Sequence, residues 1–233
     1  MILALLLTAL LLGPSQAQIQ KTPASDAFLS AVRAVSSFEG ADVGFEPRFY
    51  VSQRGSGPYE EVNCMPAASA MLLRWALDGR DNGWPGDGWP GDGWPGDGWP
   101  GDGWPGDGWP DARTLRALVP LRGAPWRPEQ VQEVLTRAGL HVETPEISLD
   151  AMTGALRAGR ALLVLVQENG LGHCYIVAAY ASAPGGETVF EIIDPADGRA
   201  RLLDADALLA RMEGYWWRFL SVSRSPEACS SES

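Results

Sequence analysis

The sequence predicts an α+β domain in which helices precede a mainly antiparallel sheet. Apolar residues recur at helical spacing between residues 64 and 159. β-rich runs separated by Gly-containing turns then follow at 161–166, 173–180 and 188–194. The chain has 233 residues and is 45% hydrophobic, which is enough for one globular domain with a sizeable core. Helices first and consecutive strands afterwards are typical of the α+β class.

The longest helical segment begins around Cys64, in the run NCMPAASAMLLRW. Ala, Met and Leu dominate this run, and all three favour helix. Pro66 is compatible with a helix because it falls in the first turn. Further helices are predicted at 25–38, 111–119, 127–140, 148–159 and 204–212, with short strands at 48–53 and 216–223.

The N-terminus has the pattern of an export signal. An apolar run at 2–12 is followed by Gly and Pro, and Ser15 and Ala17 occupy the small-residue positions before a cleavage point. The run is shorter than the roughly 20 residues of a membrane-spanning helix. We therefore expect a signal peptide at 1–17, a secreted or periplasmic protein, and no membrane association after cleavage.

Charge narrows the choice of partners. The formal net charge is -11, and no cluster of Lys or Arg occurs along the chain. Nucleic acid and anionic membrane surfaces are therefore not expected partners.

A tandem repeat interrupts the chain. Five WPGDG copies occupy 84–108, and a partial sixth copy extends the insert to 111. Gly and Pro at this density exclude regular helix and strand. The copies could form a ligand-binding array of Trp and Asp, but their near identity favours a duplicated linker. The insert at 84–111 interrupts a predicted domain at 48–222. An N-terminal segment at 18–47 precedes this domain, and a Ser-rich, disordered tail at 223–233 follows it.

Three cysteines leave at least one thiol unpaired, whatever disulfide forms. Cys229 lies in the tail, and Cys174 lies in an apolar strand, where buried thiols are common. Cys64 is different, because the start of a helix offers unpaired N–H groups and the positive end of the helix dipole. Both lower the pKa of a thiol. Cys64 is therefore the candidate nucleophile.

The chain has two histidines, and their positions differ. His141 follows a helix end and is expected at the surface or at a sheet edge. His173 opens an apolar strand, and a hairpin centred near 183–185 brings Asp194 within about one residue of it. A carboxylate there could hold one imidazole nitrogen and leave the other for Cys64. Nucleophile, base and orienting acid form the arrangement used in covalent acyl transfer.

Acyl transfer also needs donors for the oxyanion. The backbone N–H of Cys64 is one candidate, and the side-chain amide of Gln53 is the other. Asn63 is adjacent to the nucleophile but is expected to cap the helix.

The motifs FYVSQ, NCMPAASAMLLRW, GHCYIVAAY and IIDPADGR, in this order, resemble papain-like cysteine peptidases related to the bacteriocin-processing, double-glycine-leader peptidases. The resemblance covers about 48–222 apart from the insert. It implies a papain-like fold, with a helix that carries the cysteine packed on the sheet. It also implies a nucleophile at Cys64, a base at His173, an orienting acid at Asp194 and an oxyanion donor at Gln53.

We therefore expect thiol-dependent hydrolysis of a peptide or protein substrate, with no metal and no cofactor. Met65 stands where this family usually has Gly, so a binding protein that has lost catalysis is one alternative. The other is an acyltransferase, similar to transglutaminases, that uses the same three residues. The sequence leaves the substrate and the oligomeric state open.

Overall fold

The computed structural model describes most of the predicted domain. The described residues are 19–20, 39–57, 59–78, 110–118, 124–168, 170–213, 215–216 and 218–224. The predicted signal peptide, the helix at 25–38, the five WPGDG copies and Cys229 lie outside them.

One antiparallel sheet organises the described chain. Its eight strands are β1 (Ile19–Gln20), β2 (Glu39–Asp42), β3 (His141–Glu143), β4 (Ala161–Glu168), β5 (Leu171–Ser182), β6 (Thr188–Asp194), β7 (Arg199–Asp204) and β8 (Phe219–Ser223). Seven of them follow the order β1-β7-β6-β5-β4-β8-β3. The long β5 pairs with β4 through its first half and with β2 through its last four residues.

Five α-helices accompany the sheet in the described residues. They are α1 (Cys64–Leu77), α2 (Ala112–Leu118), α3 (Pro128–Arg137), α4 (Leu149–Arg157) and α5 (Ala205–Glu213), and 3₁₀ turns occur at Pro47–Phe49 and Glu60–Val62. None of the helices in this part of the chain is long and apolar enough to cross a membrane.

The two faces of the sheet support separate cores. Along β5, Cys174 and Ile176 pack with α1, α2 and α3, whereas Tyr175 and Val177 pack with α4 and α5. This alternation follows from the two-residue period of a strand. Because both faces are covered, the central strands are apolar without interruption, as ALLVLV in β4 illustrates.

Helix α1 lies deep in the first core. Every residue from Met65 to Leu77 is buried except Arg74. A helix that is apolar on all sides is stable only when surrounded by protein. Its first residue, Cys64, is thereby held at a fixed position against the sheet.

The predicted α+β class is confirmed, and β4, β5 and β6 are consecutive antiparallel strands as expected. The strand predicted at 48–53 is wrong. Pro47–Phe49 form a 3₁₀ turn there, and residues 50–53 belong to no strand. The aromatic and β-branched side chains of this segment pack in the core instead, as Phe49 and Val51 do.

Candidate active site

The start of α1 meets the first residues of β5 at an open strand edge. Strand β6 ends at Asp194, one residue beyond the pair Ile176 with Ile193, so Asp194 falls beside Tyr175. Among the residues that the structure describes, 171–174 of β5 therefore have no strand neighbour on that side. Cys64 forms hydrogen bonds with both His173 and Cys174. Consecutive side chains point to opposite faces, so a thiol that contacts both lies at the strand edge.

His173 and Asp194 are in direct contact. The distance between His173 Nε2 and Asp194 Oδ1 is 2.7 Å, and the two side chains are 13% and 7% exposed. They lie on one face of the sheet as diagonal neighbours across β5 and β6. An aspartate held at Nε2 leaves Nδ1 as the ring nitrogen for the hydrogen bond with Cys64.

Asp194 has partners on both oxygens. Oδ1 accepts a hydrogen bond from the Ala196 backbone N–H at 2.8 Å, and Oδ2 accepts one from Arg201 Nη1 at 2.7 Å. Burial disfavours the carboxylate, but His173, the Ala196 N–H and the charge of Arg201 outweigh it and lower the pKa of Asp194. Asp194 is thus an ionised side chain with a fixed orientation.

The thiol of Cys64 is strongly acidified. A hydrogen bond from Cys174 makes the largest contribution, burial opposes it, and the hydrogen bond and charge of His173 add to it. The backbone N–H of Met65, in the first turn of α1, contributes as well. Together they lower the pKa of Cys64 from 9.0 to about 5. Cys64 is therefore a thiolate at neutral pH.

The pKa of His173 moves in the opposite direction. Burial disfavours the imidazolium, but the hydrogen bonds and charges of Asp194 and Cys64 raise the pKa of His173 from 6.5 to about 10. The two values leave a window between about pH 5 and about pH 10 in which Cys64 is a thiolate and His173 an imidazolium. A thiolate beside a proton donor is suited to attack a carbonyl carbon.

Tyr175 supports the His173 ring from the side. The two rings meet edge to face, with centroids 5.3 Å apart and an interplanar angle of 88°. The Tyr175 hydroxyl donates to Glu168, which also accepts from Arg211 Nη1 at 2.8 Å. Burial and Glu168 raise the pKa of Tyr175, so the phenol stays neutral. The contacts restrict rotation of the imidazole.

Gly172, just before His173, contacts the ring of Tyr215. The ring of Tyr215 lies against Gly172 so closely that a Cβ there would overlap the phenol group. A larger residue at position 172 would displace the ring of Tyr215, which is 47% exposed and has room to move.

Gln53 forms hydrogen bonds with the segment that follows Asp194 and with the segment that precedes α1. Its backbone N–H donates to Pro195 O at 2.7 Å, next to Asp194, and its Nε2 donates to Glu60 O at 2.9 Å, shortly before α1. Ser56 bridges the same segments, since it donates to Gln53 O and accepts from Asn63. The long stretch between Gln53 and Cys64 is thus folded back into a compact loop.

The predicted capping role of Asn63 is wrong. Asn63 occupies the N-cap position of α1, but its side chain accepts no hydrogen bond from the helix. Its Nδ2 donates to Ser56 Oγ at 2.7 Å, and its backbone lies at φ -95° and ψ 17°, away from the extended geometry that N-caps adopt. Asn63 instead fixes the loop that carries Gln53.

Two contributors were missed in the sequence. Cys174 was expected to be an inert buried thiol, and it is fully buried, but its side chain hydrogen-bonds to Cys64. Arg201, 8% exposed, was not identified, although the short turn after Asp194 pairs that residue with Arg199 and so puts Arg201 on the same sheet face. His141 is exposed on the edge strand β3, as expected.

Within the described ranges, no group of three or more His, Cys, Asp or Glu residues is placed to hold a metal ion. No protein-family model matches the chain, and the curated proteins searched give no match.

Proposed function

We propose that this protein is an exported cysteine peptidase with a papain-like fold. The observation that carries the proposal is the position of Cys64, whose pKa is lowered to about 5 in contact with His173. His173 is itself held by Asp194 at 2.7 Å. Structural thiols in apolar surroundings have raised pKa values, whereas reactive thiols have lowered ones. The ordered motifs that resemble papain-like peptidases support the same function.

Acylation begins with the thiolate. Cys64 Sγ attacks the carbonyl carbon of the scissile peptide bond and forms a tetrahedral oxyanion. His173 then donates its Nδ1 proton to the leaving amine, the C–N bond breaks, and a thioester remains on Cys64. Asp194 does not exchange a proton in this step. It orients the ring and stabilises the imidazolium.

Deacylation reverses the role of His173. The neutral imidazole removes a proton from water, the hydroxide attacks the thioester carbonyl, and the carboxylic acid leaves as Cys64 regains its thiolate. No metal or redox cofactor takes part in these steps.

Two groups are assigned to the oxyanion. The backbone N–H of Cys64 lies in the first turn of α1, where N–H groups lack partners within the helix. The amide of Gln53 carries two N–H bonds, and its hydrogen bond to Glu60 O uses only one of them. We assign the second N–H to the substrate oxyanion.

Met65 bears on the alternative of a non-catalytic binding protein. Its side chain is 5% exposed and belongs to the core cluster under α1. A side chain directed into the core does not fill the space in which an oxyanion would form, so the Gly-to-Met difference is compatible with catalysis.

The proposal is tested by incubating the purified mature protein with a peptide library and reading new termini by mass spectrometry. Wild type should generate cleavage products, and Cys64→Ala should generate none. Addition of a primary amine separates hydrolysis from acyl transfer, because a transferase would convert the new C-termini into amides. The absence of cleavage products with the wild type, or equal amounts of product with Cys64→Ala, would reject the proposal.

A further inference from the structure

Arg116 is a buried cation that is incompletely paired. The residue is 7% exposed and lies in α2. Its Nη2 donates to Ala124 O. Its Nε and Nη1 are buried and have no hydrogen-bond partner in the part of the chain that the structure describes.

Arg116 lies against the segment that leads into α1 and Cys64. The centre of its guanidinium is 5.5 Å from the ring centroid of Tyr59, which directly precedes the 3₁₀ turn leading into α1. Burial lowers the pKa of Arg116, while the charge of Cys64 raises it. The guanidinium is therefore close enough to Cys64 to respond to the charge of its thiolate.

An arrangement of this kind is unfavourable without a ligand. Buried charges in proteins are normally paired, and an uncompensated one is strongly destabilising. Arginine is also the residue that buried sites use to bind carboxylates, because its planar N–H groups match carboxylate oxygens. The two unpaired nitrogens thus indicate an anionic ligand that enters from outside.

We propose that Arg116 binds a carboxylate of the substrate beside Cys64. The substrates are then peptides with an acidic side chain, or a free C-terminal carboxylate, near the scissile bond. This inference rests on the proposed peptidase function for its substrate class, but the binding site can be tested without catalytic turnover.

The test compares two alkylating reagents of nearly equal shape. Iodoacetate and iodoacetamide both lose iodide to the Cys64 sulfur, and only iodoacetate carries a carboxylate. Their second-order rates on Cys64 would be measured at constant pH and ionic strength, with the modified residue identified by mass spectrometry. The selectivity is the ratio of the iodoacetate rate to the iodoacetamide rate.

Arg116→Gln should lower this selectivity about tenfold, the size of one charge-assisted hydrogen bond. Arg116→Lys keeps the charge without the planar fork and should fall in between. Arg113→Gln is the matched control, because Arg113 is an exposed arginine on the same helix and its selectivity should stay near the wild-type value. Circular dichroism checks that each variant is folded.

Unchanged selectivity in Arg116→Gln, or an equal fall in Arg113→Gln, would overturn the assignment. The first result would mean that the guanidinium does not bind the carboxylate. The second would mean that the electrostatic field of the whole protein, and not a contact with Arg116, determines the selectivity.

The source of the carboxylate is distinguished with matched peptides. One pair differs by Asp or Asn at a single position, and the other by a free or amidated C-terminus. In the wild type, KM should be lower for the acidic member of one pair than for its neutral counterpart, and the other pair should show no such difference. Arg116→Gln should remove the difference. If no peptide is cleaved but iodoacetate selectivity depends on Arg116, the carboxylate site stands and the peptidase function fails. If peptides are cleaved but neither the iodoacetate selectivity nor KM depends on Arg116, the peptidase function stands and the carboxylate site fails.

Discussion

The Nε2 atom of His173 lies 2.7 Å from Oδ1 of Asp194, and this contact determines which nitrogen is left for Cys64. The hairpin between β5 and β6 brings the two side chains to one face of the sheet. The open edge of β5, just past the end of β6, leaves room for the start of α1. Base and nucleophile thus meet because one strand of a hairpin is longer than the other.

Alkylation of Cys64 should depend on pH with a midpoint near 5. At pH 6 about nine-tenths of a thiol with that pKa is thiolate, against about one-thousandth at a pKa of 9. Iodoacetamide rates between pH 4 and pH 8, resolved by mass spectrometry, measure this. Cys229 serves as the internal control and should react slowly at pH 6. A Cys64 midpoint near 9 would contradict the acidified thiol.

Loss of the Cys174 thiol should raise the pKa of Cys64. Its hydrogen bond makes the largest contribution to the low value. Cys174→Ala removes the donor, so the alkylation midpoint should move upward and labelling at pH 6 should slow. Cys174→Ser keeps a donor of similar size and should behave more like wild type. Identical midpoints for Ala and Ser would show that the hydrogen bond from position 174 has no such effect.

Asp194→Asn should destabilise the folded protein. The buried Arg201 would keep only its contact with Asp197, at 2.6 Å. Breaking a buried ion pair lowers the free energy of unfolding by about 3–5 kcal/mol. Because Arg201 keeps its contact with Asp197, the decrease should lie near the lower end of this range. Urea denaturation measures it. The double variant Asp194→Asn/Arg201→Met also removes the guanidinium that loses its partner and should regain part of the lost stability. An unchanged midpoint in the single variant would contradict this account.

Deletion of 84–108 should change stability little. The insert joins α1 to α2, and Arg74 Nε donates to Pro110 O at 3.0 Å, so this junction must be retained. Loop closure depends weakly on length, at about 0.6 kcal/mol for each doubling. Melting temperature and peptide cleavage should therefore stay close to wild type. A large fall in melting temperature would mean that the tryptophans pack on the domain, and the linker interpretation would be wrong.

Local patterns in the sequence predict the helix at Cys64 and the strands that carry His173 and Asp194. They predict less well where a side chain's role depends on distant residues. Cys174 contacts Cys64 only because α1 meets an unpaired strand edge, and no local spacing encodes that meeting. Strand β7 and the short strands β2 and β3 were likewise missed, since pairing with neighbours determines them more than composition does.

Arg201 could have been found in the sequence. The run DPADG, which begins at Asp194, closes a tight turn, and alternation along the returning strand puts Arg201 on the same face. The 48–53 segment shows the opposite case. Its β-favouring residues are used for burial, and Pro47 sets a helical turn instead.

The most direct test of the account is the steady-state rate of three variants on a cleaved peptide, each checked for folding. Cys64→Ala should have no activity above background, because nothing replaces the covalent bond. His173→Ala should be nearly as damaging, by about 10²–10⁴-fold, since His141 lies on the remote edge strand. Asp194→Asn should lose less than His173→Ala, because it removes orientation and not proton transfer. A near wild-type rate in His173→Ala would contradict the assigned mechanism as a whole.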